Sequence, residues 1–198
     1  FAKDLDRLQR KLLIPEEINS IYIATTNTLK ILNKIKTNTA TPKDIEVALK
    51  EVKKWINFRH RLVPYLYHPA CQSHQSGIPM IRPLVMEYPK DPIAKTQNLS
   101  YMLGDALLIS PGFDRDEYEL YLPEGRWQDI ESKEVYEGMT FVHIENKAFA
   151  DGGTSLRVFQ KEGTSIPLFA QKEVLHVPAQ LWKQEDLEFM TFQKKDVD

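Results

Sequence analysis

The sequence predicts an α+β chain, a helical amino-terminal half followed by an antiparallel β-sandwich. Two observations carry this. Up to about residue 76, apolar residues recur at alternating spacings of four and three, the period of a packed helix. Beyond Ile78 the period shortens, and short runs rich in aromatic and β-branched residues are spaced about 10–15 residues apart. The change in composition near residue 100 divides the chain into residues 1–100 and 101–198.

Taken in order, Leu5, Leu8 and Leu12 share one helical face, and Pro15 with Glu16 and Glu17 has the form of a first turn. Ile18, Tyr22, Thr25, Leu29 and Leu32 make a helical seam that ends at Thr37–Thr41. Thr41 is placed as an N-cap, with Pro42 at the first helical position and Asp44 completing a capping box. Ile45, Ala48, Leu49, Val52, Trp55, Ile56 and Arg59 then read as a single stripe. Pro64 must kink or restart this helix, because it lacks an N–H and its ring clashes with the preceding turn. Gly77 is its stop. Strand-like runs follow at Pro79–Met86, Ala106–Ser110, Tyr118–Leu122, Thr140–Ile144, Leu156–Phe159, Ile166–Phe169 and Leu187–Phe192. Pro-Glu-Gly at 123–125 and Asp-Gly-Gly at 151–153 supply turns.

Composition excludes several functions. With 198 residues, 42% of them apolar and 27% charged, the chain has the make-up of a globular protein with one sizeable core. A net charge of −2 leaves no basic footprint for nucleic acid or an anionic membrane. No run approaches the roughly 18 apolar residues that cross a bilayer. Cys71 is the only cysteine, so no internal disulfide forms.

Five segments, in order, carry a more specific signal. They are Arg59-x-x-Leu62-x-Pro64-Tyr65-Leu66-Tyr67; Gly77-x-Pro79-x-x-Arg82-Pro83-Leu84 with Glu87-Tyr88-Pro89 and Asp91; Tyr101-x-x-Gly104-x-x-Leu107-Leu108-x-x-Pro111; Tyr121-Leu122-Pro123-Glu124-Gly125-Arg126-Trp127 with Val135-Tyr136-Glu137-Gly138; and Ile166-Pro167-Leu168-Phe169. Together they resemble glycoside hydrolase family thirty-one, the retaining α-glucosidases and α-xylosidases. The stretch that matches is the end of the catalytic (β/α)8 barrel and the proximal C-terminal sandwich. The resemblance implies that residues 77–84 are the last barrel strand. It also implies hydrolysis of an α-linked oligosaccharide with retention, which needs two carboxyl groups about 5 Å apart. In the family both are aspartates on earlier strands, in settings resembling W-x-D-M-N-E and G-D-N, with a substrate-binding His upstream of the Arg-Leu-Pro-Tyr helix.

Residues 1–57 contain no Trp-x-Asp, no Gly-Asp-Asn and no His. A whole barrel typically takes about 250 residues. The expectation is therefore a carboxy-terminal piece of an α-glycosidase that lacks the catalytic aspartates, needs the missing barrel portion, and is inactive alone. No catalytic residue, metal ligand or cofactor is assigned. The alternative is a non-catalytic carbohydrate-binding or structural sandwich joined to a helical interaction module.

Arg82 is the substrate-binding candidate, being on a barrel-like strand; the plainer role for its fork is to pair with a buried carboxylate such as Glu87 or one supplied by sequence outside this chain. His68, Cys71 and His74, with His60 nearby, have a spacing that would fan over roughly 120° of a helix, wide for one tetrahedral ion. Packing is the plainer role, and Pro69 is expected to disturb the helix there. Asp114, Asp116 and Glu117 form an acidic run without the glycine turn of a calcium loop. Tyr121, Trp127 and Tyr136 could form a platform for a sugar ring or fill the sandwich core.

Overall fold

In a computed structural model of the chain, the structure describes residues 41–111, 117–145, 156–170 and 183–194. The helical readings before Thr41, the Asp-Gly-Gly turn, and Asp114 and Asp116 lie outside the described residues, as do the side chains of Asp44, Ala48 and Val52.

Helix α1 spans Pro42–Arg61 and α2 spans Val63–Ser76. Pro64 restarts the helix rather than kinking it, because the first turn of α2 has no intrahelical use for the missing N–H. Gly77 closes α2 in the left-handed region, φ 75°, and its amide donates to the Ser73 carbonyl. Pro69 does not interrupt α2, which runs through it with that ring buried.

The strands are β1 (Ile81–Pro83), β2 (Tyr101–Leu103), β3 (Leu107–Ser110), β4 (Glu117–Leu122), β5 (Arg126–Asp129), β6 (Val135–Glu137), β7 (Thr140–Glu145), β8 (Arg157–Lys161), β9 (Thr164–Phe169) and β10 (Leu187–Phe192). Every pairing between them is antiparallel. One sheet has the order β1-β2-β3-β8-β5-β6, and two further pairs are β4-β7 and β9-β10. The run Pro79–Met86 is shorter as a strand than its apolar character predicts. It ends at Pro83, and Leu84–Glu87 turns into a single helical turn, α3. Pro83 has no N–H to continue a ladder, and its fixed φ near −60° suits the residue before a helix.

Alternation along the central strands builds two cores. On β3 and β8, Leu108 and Phe159 face one way, with Met102, Trp127, Leu84 and Ala94, against Tyr118, Leu120, Val142 and Ile144 of the β4-β7 pair. Leu107, Ile109 and Val158 face the other way, against Leu62, Tyr65 and Leu66 of the helical layer and Ile166 and Leu168 of β9. The six-stranded sheet is thus the middle layer, covered on both faces at its centre, which explains why all four residues of β3 are buried.

Buried polar groups pin the outer layers to it. Gln160 of β8 donates through Nε2 to the carbonyls of Thr164 (3.0 Å) and Met190 (2.9 Å), tying the sheet to β9-β10. Ser110 and Tyr118 share a 2.9 Å hydroxyl contact that ties it to β4. Asp129 accepts the amides of Glu131 (2.7 Å) and Ser132 (3.2 Å), closing the turn after β5.

The stripe read along α1 divides. Trp55 and Phe58 pack against the core beside Leu62, while Ile45, Leu49 and Ile56 stand exposed. At about 100° per residue the two sets lie roughly 120° apart on the helix. Among the described side chains it is the carboxyl-terminal half of α1 that packs on this core, through Trp55 and Phe58.

Candidate functional site

Three of the motif segments meet at one turn. Tyr65, in the first turns of α2, points its ring into the core and its hydroxyl at the loop between β2 and β3. There it donates to the Leu103 carbonyl (2.6 Å) and accepts from the Ala106 amide (3.2 Å). Gly104 lies between these contacts at φ 63°, and its amide donates to the Met80 carbonyl (2.8 Å) just before β1. A β-carbon on Gly104 would lie 2.3 Å from the Tyr65 hydroxyl and 3.5 Å from Pro69. The glycine is therefore needed twice, for its backbone conformation and for the close approach of the tyrosine. Burial pushes the Tyr65 hydroxyl well above its ordinary pKa, with the Ala106 amide pulling the other way, so it stays a neutral donor.

Arg82 occupies the middle of β1 opposite Met102, almost wholly buried. Its Nη1 pairs with Glu87 at the end of α3, and its Nε donates to the Pro79 carbonyl at 2.8 Å. Through these two nitrogens the arginine fastens the strand to the turn that follows it.

The rest of that motif is spent on the core that faces the β4-β7 pair. Asp91 accepts the amides of Ile93 (2.8 Å) and Ala94 (3.2 Å) through Oδ1, and the Tyr121 hydroxyl (2.6 Å) through Oδ2. Partial burial raises the Asp91 pKa, but the three donated hydrogen bonds outweigh it and leave it below its ordinary value. Burial and Asp91 together push the Tyr121 hydroxyl up to about 12. Lys161 of β8 donates to the Tyr88 hydroxyl at 3.0 Å, with its ammonium 5.1 Å from that ring and 6.0 Å from the Trp127 ring.

A prediction follows from Asp91. A carboxylate whose folded pKa is depressed contributes stability that is full above its unfolded pKa of about 3.9, and that stability is lost as pH falls toward the lower folded value. Asp91→Asn is expected to flatten the dependence of unfolding free energy on pH in that acid window. Denaturant melts of both proteins from pH 6 downward measure it; parallel curves would contradict the assignment.

The other candidates are placed as follows. Trp127 and Tyr121 are fully buried and fill the core, and half-buried Tyr136 packs edge-on to Phe159 at its margin with ring centres 5.9 Å apart, so the three do not form one exposed platform. Trp127 donates to the Pro123 carbonyl at 2.8 Å. His68, Cys71 and His74 are distributed along α2, and among the described residues no three His, Cys, Asp or Glu side chains are grouped to hold a metal ion. Glu117 opens β4 and lies 3.3 Å from His143 of β7. No helix among the described residues is long and apolar enough to cross a membrane.

Comparison with known proteins bears on these same segments. The model of the glycosyl hydrolase family 31 C-terminal domain matches residues 77–173, from the glycine that ends α2 to just beyond β9. That stretch, just under half of the chain, is similar to the C-terminal domain of family 31. Neutral alpha-glucosidase AB of Homo sapiens is 35% identical over 113 residues, covering 55% of this chain and 11% of that protein. Alpha-glucosidase 2 of Bacillus thermoamyloliquefaciens is 34% identical over 131 residues, 64% of this chain and 16% of its own length. The cycloalternan-forming enzyme of Listeria monocytogenes, solved with a pentasaccharide substrate, superposes with a TM-score of 0.63 at 30% identity, over 82% of this chain and 15% of that one. The family 31 dextranase of Flavobacterium johnsoniae, solved with glucose, superposes with a TM-score of 0.56 at 30% identity, over 66% of this chain and 15% of that one. The chain thus spans about a sixth or less of the length of each of these relatives. Within the matched stretch Arg82, Tyr88 and Asp91 hold the layers together, and Tyr65 of α2, which precedes that stretch, joins them at the Gly104 turn.

Sequence reasoning missed Gln160, Ser110 and Asp129, because a buried polar side chain in a strand has no local signature. It also did not link Tyr65 to Gly104, which lie in separate segments.

Proposed function

We propose that this chain is the carboxy-terminal part of a retaining α-glycosidase acting on α-linked glucosides or xylosides, and that it does not catalyse the reaction by itself. In this reading residues 1–100 supply helices and the last strand of a (β/α)8 barrel and residues 101–198 supply the sandwich, joined through the β1–β2 ladder. The observation that carries the reading is the junction of Tyr65, Gly104 and Met80, which fastens the expected barrel end to the first sandwich strands; Met80 and Gly104 lie in the stretch matched by the family and Tyr65 on the helix just before it. Further support comes from β1, which is the outermost strand of its sheet and has no partner on its free side among the described residues. The remaining barrel would complete it and contribute both reactive carboxyl groups. The sandwich braces that barrel, and Arg82 positions its last strand through Glu87 rather than reaching a sugar.

The expected result is that the purified 198-residue chain releases no nitrophenol from p-nitrophenyl α-glucoside or α-xyloside above the buffer rate. A polypeptide extended upstream along the same reading frame cleaves one of them. Robust turnover by the short form would mean that the reactive carboxyl groups lie within it.

A further inference from the structure

The outer face of the β4-β7 pair holds a histidine set among carboxylates, none of which the glycosidase reading uses. In the register of the two strands Glu117 stands opposite Glu145, Glu119 opposite His143 and Tyr121 opposite Phe141. Tyr118, Leu120, Val142 and Ile144 point the other way, into the core. Alternation therefore puts Glu117, Glu119, His143 and Glu145 together on one exposed face. Tyr121 and Phe141, with ring centres 5.2 Å apart, complete that face and bring no charge to it at neutral pH.

Both ring nitrogens of His143 are taken up by carboxylates of the facing strand. Nδ1 lies 2.8 Å from Oε1 of Glu119, and Nε2 lies 3.3 Å from Oε2 of Glu117. An ionised carboxylate only accepts hydrogen bonds, and a neutral imidazole has a single N–H to donate. One of the two contacts would then set a ring lone pair against a carboxylate oxygen. The imidazolium, with a proton on each nitrogen, satisfies both. The face also needs that charge. Glu117 and Glu145 are like charges directly across the strands, an arrangement that opposes pairing. Among the described residues neither β4 nor β7 carries a lysine or arginine. Arg157 of β8 comes up to Glu145, but it donates to that residue's backbone carbonyl at 3.4 Å and to Asp129 at 3.5 Å.

We propose that His143 is a proton-operated clamp between β4 and β7. Protonated, it donates to Glu119 and Glu117 at once and offsets the charge of the face. Once the proton has gone to water, it keeps one hydrogen bond, repels the other oxygen and leaves Glu117, Glu119 and Glu145 facing one another. The hydrogen bond to Glu119, then the negative charge of Glu119, Glu117 and Glu145, holds the proton on above the ordinary histidine pKa of about 6.5. A group whose folded pKa is raised contributes stability that is full below its unfolded pKa and is lost as pH rises through the folded one. The clamp is thus closed in mild acid and opens as pH rises above the ordinary histidine range.

The full chain tests this by NMR titration of the imidazole Cε1–H, assigned by its absence in His143→Gln. The midpoint is expected above that of the same imidazole in the urea-unfolded chain, and Glu119→Gln and Glu117→Gln should each lower it. A midpoint equal to the unfolded one, or one that either substitution leaves unmoved, overturns the proposal. Hydrogen exchange reads whether the proton holds the strands. As pH rises through the midpoint, amides of residues 118–122 and 141–144, corrected for intrinsic rate, should lose about two- to fivefold protection relative to Leu107–Ser110. That step should be absent in His143→Gln, whose side chain does not titrate. An equal step in His143→Gln, or none in the parent, means that the strands do not respond to this proton and sinks the clamp.

Discussion

Gly104→Ala is expected to cost about 3–5 kcal/mol of folding stability, which for a chain of this size lowers the melting temperature by about 10 °C. The first part is conformational: a side chain at φ 63° costs roughly 1–2 kcal/mol. The larger part is steric. The new methyl would lie 2.3 Å from the Tyr65 hydroxyl and 3.0 Å from the ring carbon that bears it, and Tyr65 is buried in the core. Displacing it breaks its bonds to the Leu103 carbonyl and the Ala106 amide. It thereby leaves buried backbone groups unpaired, at about 1–3 kcal/mol each. Tyr65→Phe alone is expected to cost about 1–2 kcal/mol, because the ring stays and only the hydroxyl is lost. In the double variant the clash with the oxygen is gone, so the two losses should sum to more than the measured total. Thermal melts of the four proteins decide this. A Gly104→Ala protein melting within about 2 °C of the parent, or strict additivity with Tyr65→Phe, would show that the contact at the turn is not what holds the layers together.

That junction also marks the limit of what the amino-acid sequence discloses. Signals confined to a few neighbouring residues were legible. Pro64 and Gly77 bound α2 because proline and glycine act on their own backbone. Leu187–Phe192 is a strand over those same residues, since its composition and length admit little else. Arg82 meets Glu87 because a short turn returns the chain on itself. What was not legible depends on which surfaces meet. Pro79–Met86 has an unbroken apolar character that reads as one strand, yet Pro83 ends the ladder and α3 buries Leu84 against the other core. The three-residue strands β2 and β6 are too short for a period of two to register. On α1 the sequence offers a broad apolar surface, and only the position of the sheet decides that Trp55 and Phe58 turn inward while Leu49 does not. The motif segments were found through their order along the chain. Their convergence on Gly104 is a property of the folded chain alone, and no residue in either segment announces the other.

The second large effect is expected at Trp127, where stability and sugar binding give opposite outcomes. Trp127 is wholly inaccessible to solvent, lies among Leu108, Phe159 and Tyr118 in the core between the sheet and the β4-β7 pair, and donates its indole N–H to the Pro123 carbonyl. Trp127→Ala removes a large buried side chain, opens a cavity where neighbours on both layers are already fixed, and strands a carbonyl. Such a change costs about 3–5 kcal/mol. Trp127→Phe keeps most of the volume and loses mainly the hydrogen bond, so its cost should be nearer 1–2 kcal/mol. A tryptophan serving as a sugar platform would behave in the reverse way. It would be exposed, its alanine variant would melt with the parent, and only titration with maltose or xylose would change. Denaturant unfolding followed by circular dichroism separates the two roles. A loss below about 1 kcal/mol in Trp127→Ala would place the ring at a surface, and with it would return the carbohydrate-binding alternative. A loss of the size expected here ties the aromatic residues of this domain to cohesion between its layers. On the proposed reading, selection among sugars then falls to the barrel rather than to these aromatic residues.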